Sequence, residues 1–233
     1  DGSSIADAAG NSAILTLATP GDAGSLGANA DLIIETTRPT ITGVASSSTN
    51  GSYGIDAVID ITVGFSEDVV VDTTSGTPKL QLNTGNTDSY ASYVSGSGSS
   101  TLTFQYTVKD GDSAADLDQR SADALILDGG SIHDAAGNPA ILTLAAPGET
   151  GSLGANADLV IEGVAPTVTG VNTTTDGGSY TTGEVITLTV GFSEDVVVDT
   201  TSGTPTLQLE TGSTDRYASY VSGSGSSTLT FQY

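Results

Sequence analysis

The chain has 233 residues, with 28 acidic side chains against 5 basic ones, a formal net charge of −23, 30 glycines and no Cys, Met or Trp. So large a negative excess repels nucleic acid and anionic membrane surfaces, and no apolar run reaches the roughly 18 residues of a membrane-spanning helix. Without Cys there is no disulfide, thiolate nucleophile or Cys-ligated zinc, and a single His argues against a His-rich metal centre.

In chain order, the dominant signal is an alternation of period two, the mark of half-buried strands. Val58 to Phe65 puts Ile59, Ile61, Val63 and Phe65 on one face, and Val69-Val70-Val71 supplies a further short strand. Leu80 and Leu82 flank Gln81, and Leu102, Phe104 and Tyr106 alternate with Thr103 and Gln105. Ala124–Leu127, Ile141–Leu144 and Leu159–Ile161 complete the set. Thr73–Pro78 and Ser95–Ser99 are turn clusters, where Gly permits positive φ and Ser or Thr bonds its own backbone. Tyr90 and Tyr93 have opposite parity, so only one of them faces the core. No amphipathic helix is expected, and Gly137 limits Asp134–Asn138 to a single turn.

The chain also repeats itself. Asp7-Ala8-Ala9-Gly10-Asn11 recurs as Asp134-Ala135-Ala136-Gly137-Asn138, and Phe65-Ser66-Glu67-Asp68 as Phe192-Ser193-Glu194-Asp195, both at an offset of 127. Residues 1–106 align with 128–233 without a gap, and 79 of the 106 pairs are identical. That period is too long for a solenoid and suits a whole small domain. Pro39 and Pro166 mark the start of the unit, where proline stiffens a short linker. We therefore expect 1–38 to be the C-terminal part of a preceding repeat, 39–165 a complete one, and 166–233 the N-terminal part of a following one, cut from a longer array. Seven to nine short strands per unit predict an all-β chain of tandem immunoglobulin-like β-sandwich domains, with a closed barrel as the alternative.

The carboxylates carry the candidate chemistry. Asp110, Asp112, Asp116 and Asp118 place four acids in nine residues of an expected loop. Two carboxylates 4 Å apart repel by roughly 4 kcal/mol at an effective dielectric near 20, a cost that a cation offsets. Calcium, with its six to eight oxygen ligands in flexible geometry, suits such a loop better than magnesium. If Phe65 ends the second strand, Glu67 and Asp68 face the linker acid Glu35. At the second junction the corresponding set is Asp110, Asp112, Asp116 and Asp118 with Glu162, Glu194 and Asp195. Asp134 and Asn138 are further candidate ligands. In each case the bland reading stands beside it: solvated surface acids, or for Asp134 and Asn138 a turn bonded to its own backbone. The EF-hand loop and the calcium-binding nonapeptide are absent.

Other features point nowhere in particular. His133 is matched by Ala6 in the other copy, no hydroxyl has a base beside it, and a chain without Trp lacks the usual sugar-cleft lining for paired carboxylates, so no enzyme activity is expected. Asn50-Gly51-Ser52 and Asn172-Thr173-Thr174 match a glycosylation triplet that is common by chance.

Pro39–Val44, Val63–Val69, the run Gly96–Phe104 and Asp134–Asn138 resemble the tandem immunoglobulin-like repeats of giant bacterial surface adhesins, including calcium-dependent adhesins of type I secretion and biofilm-associated proteins. The resemblance covers essentially the whole chain. It implies an extracellular spacer on the bacterial cell surface, stiffened by Ca2+ in its loops and junctions. Its partners would be the neighbouring repeats, with no nucleic acid and no direct membrane insertion. The acids before the second strand depart from this regularity, Asp56 standing in one copy and Glu184 in the other. The alternative is a binding module whose repeated faces contact carbohydrate, ice or sister molecules, including self-association into a filament or surface layer.

Overall fold

The computed structural model describes residues 2–85 and 89–233. Apart from two single-turn helices, α1 (Leu26–Asn29) and α2 (Leu153–Asn156), its regular structure is β. The first strands are β1 (Ile41–Ser46), β2 (Gly51–Gly54), β3 (Val58–Asp72), β4 (Lys79–Leu82), β5 (Ser89–Ser95) and β6 (Ser99–Thr107). Then come β7 (Ser113–Ala114), β8 (Leu125–Ile126), β9 (Ser131–His133) and β10 (Leu159–Glu162). Residues 166–233 hold β11 (Val168–Thr173), β12 (Thr187–Val196), β13 (Thr206–Leu209), β14 (Arg216–Ser222) and β15 (Ser226–Gln232).

Alternation builds the main sheet. Along β3, Ile59, Ile61, Val63 and Phe65 are buried, joined on the same face by Leu102, Phe104 and Tyr106 of β6 and by Leu80 and Leu82 of β4. The strand order is β1-β3-β6-β5-β4-β8, antiparallel throughout, with β9 on the far half of β3. A second, three-stranded sheet runs β2-β10-β7, in which β2 and β10 are parallel. Its residues Leu159 and Ile161, with Leu153 of α2, pack into the same core. Tyr93 stacks edge-on against Phe104 at 5.9 Å, whereas Tyr90 is exposed, as their parity requires.

Phe65 does not end a strand. β3 continues to Asp72 through an irregularity, Gly64 facing Thr101 and Val69 facing Ser99, so the predicted short strand at Val69–Val71 is its second half. Glycine at 64 is what allows β1 to cross here, because a Cβ would come within 2.7 Å of Thr42 Oγ1. The predicted strand at Ile141–Leu144 reduces to one parallel bridge, Thr40 to Ile141.

Residues 166–233 rebuild part of this pattern. The order β11-β12-β15-β14-β13 matches β1-β3-β6-β5-β4, and the registers repeat at the same offset: Ile41 pairs with Phe65 and Val168 with Phe192. Residues 178–181, the counterpart of β2, form no strand, and neither do 32–35, the counterpart of β10. Each lacks the partner that the other element supplies in 39–165.

Candidate functional site

The four acids between 110 and 118 do not fold into one cluster. β7 pairs with the end of β10, Ser113 opposite Glu162 and Ala114 opposite Ile161, and this ladder carries the acids apart. Asp110 and Asp112 lie where Gly111 N donates to Gly163 O (2.9 Å) and Gly163 N donates to Asp112 O (2.8 Å). The fit is tight, since a Cβ on Gly163 would meet Lys109 O at 2.3 Å. Asp116 and Asp118 lie instead beside α2.

Asp112 points inward, only 2% exposed. Its carboxylate accepts from Tyr106 Oη (2.7 Å), from Ser89 Oγ (2.9 and 3.1 Å) and from the Lys109 amide (2.9 Å). Burial alone would raise its pKa, but the donors Tyr106, Lys109 N, Ser89 and Thr84 together hold it below the usual carboxylate value. Burial, and then the hydrogen bond to Asp112, push the Tyr106 phenol well above its ordinary range. Asp112 is thus an internal anchor that fastens the 109–113 loop to the β5–β6 layer, rather than a ligand facing solvent. In the second copy Arg216 stands in the place of Ser89.

Asp116 is exposed and Asp118 half-buried. Asp118 accepts from Gln119 N (2.8 Å) and Gly148 N (2.7 Å). The space above Gly154 is bounded by both: a Cβ there would stand 3.0 Å from Asp118 Oδ2 and 3.3 Å from Asp116 Oδ2. Glycine therefore leaves a small cradle with two carboxylate oxygens on its rim. That donor chemistry fits a hard cation such as calcium, the remaining oxygens coming from carbonyls and water. Among the described residues no group of three or more His, Asp or Glu side chains converges.

At the other end of the unit the remaining candidates sit around Pro39. Ser66 Oγ accepts from Thr40 N (3.0 Å) and Ser66 N donates to Thr40 O (2.8 Å), which places Glu67 and Asp68 at this end, inside the irregular part of β3. Asp134 is folded onto its own loop: its carboxylate accepts from Asn138 N (2.8 Å) and Asn138 Nδ2 (2.7 Å), and Asn138 Nδ2 also reaches Glu35 O (3.3 Å). These bonds, that of the Asn138 side chain first, lower the Asp134 pKa. Asp7 and Asn11 make the same contacts in the other copy. The geometry is that of the self-bonded turn. The Glu35 carboxylate accepts from Thr37 N, which lowers its pKa. Glu162 is exposed at the end of β10, and Glu194 and Asp195 are exposed within β12.

Comparison with protein-family models, curated proteins and solved structures returned no match.

The residues that organise this region include several that the sequence does not advertise. Gln119 is fully buried; its Nε2 donates to Ala145 O (3.0 Å) and its Oε1 accepts from Leu153 N (2.9 Å), tying the strap before α2 to the start of that helix. Ser152 caps α2 by accepting from Ala155 N (3.2 Å). The Ser-Leu-Gly-Ala-Asn sequence at 152–156 was the available cue, a cap residue ahead of a single turn. His133 bonds through Nδ1 to Asp134 O (2.7 Å) beside the turn. No helix of the described residues is long and apolar enough to cross a membrane.

Proposed function

We propose that this chain is a non-catalytic spacer from a large extracellular bacterial surface adhesin, built of tandem immunoglobulin-like sandwiches and stiffened by Ca2+. The observation that carries this reading is the sheet built twice, with identical registers 127 residues apart. Copying adds length, whereas a single specific site gains little from it. The two-sheet core of 39–165 supports the sandwich reading. The ends of that unit also favour a rod: Pro39 and Thr40 lie by Phe65, and Gly163 lies by Val108, which neighbours Ala57. The seven residue steps along β3 from Val58 to Phe65 set these ends roughly 23 Å apart.

Asp116 and Asp118 would hold the cation, which would neutralise their repulsion and draw the 116–118 segment against α2. Titration of the chain with CaCl2 by calorimetry, paired with thermal scans in chelator, tests the proposal. The expected result is saturable binding, a melting temperature several degrees higher with calcium, and loss of both in D116N/D118N. An unchanged melting temperature and no heat of binding would refute the calcium part. Small-angle scattering that showed a compact rather than an elongated particle would refute the spacer part.

A further inference from the structure

The linker that enters the complete unit is held by consecutive residues near that unit's far end in sequence. Asn138 Nδ2 donates to Glu35 O (3.3 Å). Arg38 Nε donates to Pro139 O (2.7 Å), and Arg38 Nη2 to Ala140 O (3.3 Å). Ile141 N then donates to Pro39 O (2.8 Å), and Thr40 bridges Ile141 in parallel. Residues 35–40 and 138–141 thus lie side by side in one register. Pro39 is buried there, while 35–38 are exposed. Glu35 is turned onto the linker itself, its carboxylate accepting from Thr37 N.

A guanidinium suits this task. Its planar fork presents several N–H donors in fixed directions and holds two adjacent carbonyls at once, where a lysine ammonium is a single point of charge. The receiving carbonyls are ordered by bonds of their own. Asn138 N and Nδ2 both close the turn onto the Asp134 carboxylate, and His133 bridges Pro139. Preorganisation of this kind lowers the entropic cost of docking.

The second linker is made differently. Gly163 is fastened to the unit it leaves, accepting from Gly111 N (2.9 Å) and donating to Asp112 O (2.8 Å). A Cβ at 163 would come within 2.3 Å of Lys109 O, and Thr36, in the matching place of the first linker, carries that Cβ. Conversely, Ala165 stands in the place of Arg38 and has no side-chain donor.

We propose that the 138–141 edge is a docking seat for the exit linker of the preceding repeat, with Arg38 as its clamp, which rests on the tandem-repeat reading of 1–38. The first junction is set by direct bonds to the repeat it enters and keeps its angle without a cation. The second is anchored behind Gly163 and pivots at 164–165. An array that mixes both linkers carries stiff joints and compliant ones, distinguished by Thr36-Thr37-Arg38 against Gly163-Val164-Ala165.

Nitrogen-15 relaxation of the full chain, first in chelator and then in CaCl2, is the test. The amides of 36–38 are expected to be as ordered as those of β1, with order parameters of about 0.85, and those of 164 and 165 to fall below about 0.6. In R38A the amides of 36 and 37 should also drop below about 0.6, and the Ile141 amide should exchange about fivefold faster. R38K keeps the charge without the fork and should follow R38A. Arg38 is exposed, so both variants leave the core intact. Unchanged order in R38A, an R38K that matches the parent, or a parent linker that is mobile in chelator and stiffens only with CaCl2 would each overturn the proposal. Scattering judges the spacer reading separately: an ordered linker in a compact particle would sink that reading and leave the clamp standing.

Discussion

Removing the hydroxyl of Tyr106 isolates the worth of the buried Asp112 anchor. Tyr106 Oη gives Asp112 its shortest hydrogen bond, 2.7 Å, at a carboxylate only 2% exposed. A hydrogen bond to a charged group contributes about 1.5–3 kcal/mol, and little water is on hand to replace it. Y106F is therefore expected to cost about 2 kcal/mol. For a cooperative unit of 127 residues, with an unfolding entropy near 2.1 cal/mol/K per residue, that lowers the melting temperature by about 7 °C. The chain carries its own control: Tyr233 occupies the matching place in the second copy without a matching Asp112, and Y233F should stay within about 0.5 kcal/mol of the parent. Urea denaturation followed by circular dichroism reads both. The dependence on pH is fixed in sign. The Asp112 pKa is lowered in the folded state, so its contribution is complete above the ordinary carboxylate value of 3.8 and fades as pH falls below it. The Tyr106 pKa is raised, so its contribution is complete below its ordinary value of 10.0 and fades as pH climbs past it. The gap between parent and Y106F should thus be widest near neutrality and narrow at both extremes. Equal stabilities of Y106F and Y233F, or a gap indifferent to pH, would refute the anchor.

Two further substitutions test the backbone and the strap. Asp56 holds φ +66° where the second copy has Gly183 at φ +97°, so D56G should be as stable as the parent or slightly better, and D56A about 1 kcal/mol worse, by chemical denaturation. Q119A strands Ala145 O and Leu153 N in the interior and should cost about 3 kcal/mol, with faster hydrogen exchange at the Leu153 amide; an unchanged exchange rate would count against the strap.

The buried face of β3, β4 and β6 was legible because alternation reports a half-buried strand directly. Where strands end was less so. Nothing in Phe65-Ser66-Glu67-Asp68 announces that β3 runs on, since that depends on β9 arriving from more than sixty residues away to pair with Val70 and Val71. The acids show the same limit. Asp110 to Asp118 are neighbours in sequence, yet the β7–β10 ladder sends Asp112 to Tyr106 and Asp118 to Gly148. Spacing alone carries no information about which side of a two-residue strand a carboxylate will face once an antiparallel partner has been drawn in. The self-bonded Asp134–Asn138 turn was readable because its contacts span four residues.

The opposite placement of Pro39 and Gly163 has a mechanical consequence. Tension between those points pulls β1 and β10 lengthwise in opposing directions. The hydrogen bonds of β1 to β3, and of β10 to β2 and β7, lie across that pull and share the load in shear, instead of parting one at a time as in peeling. A unit strung this way yields abruptly and at high force, behaving as a stiff link until the ladder gives way.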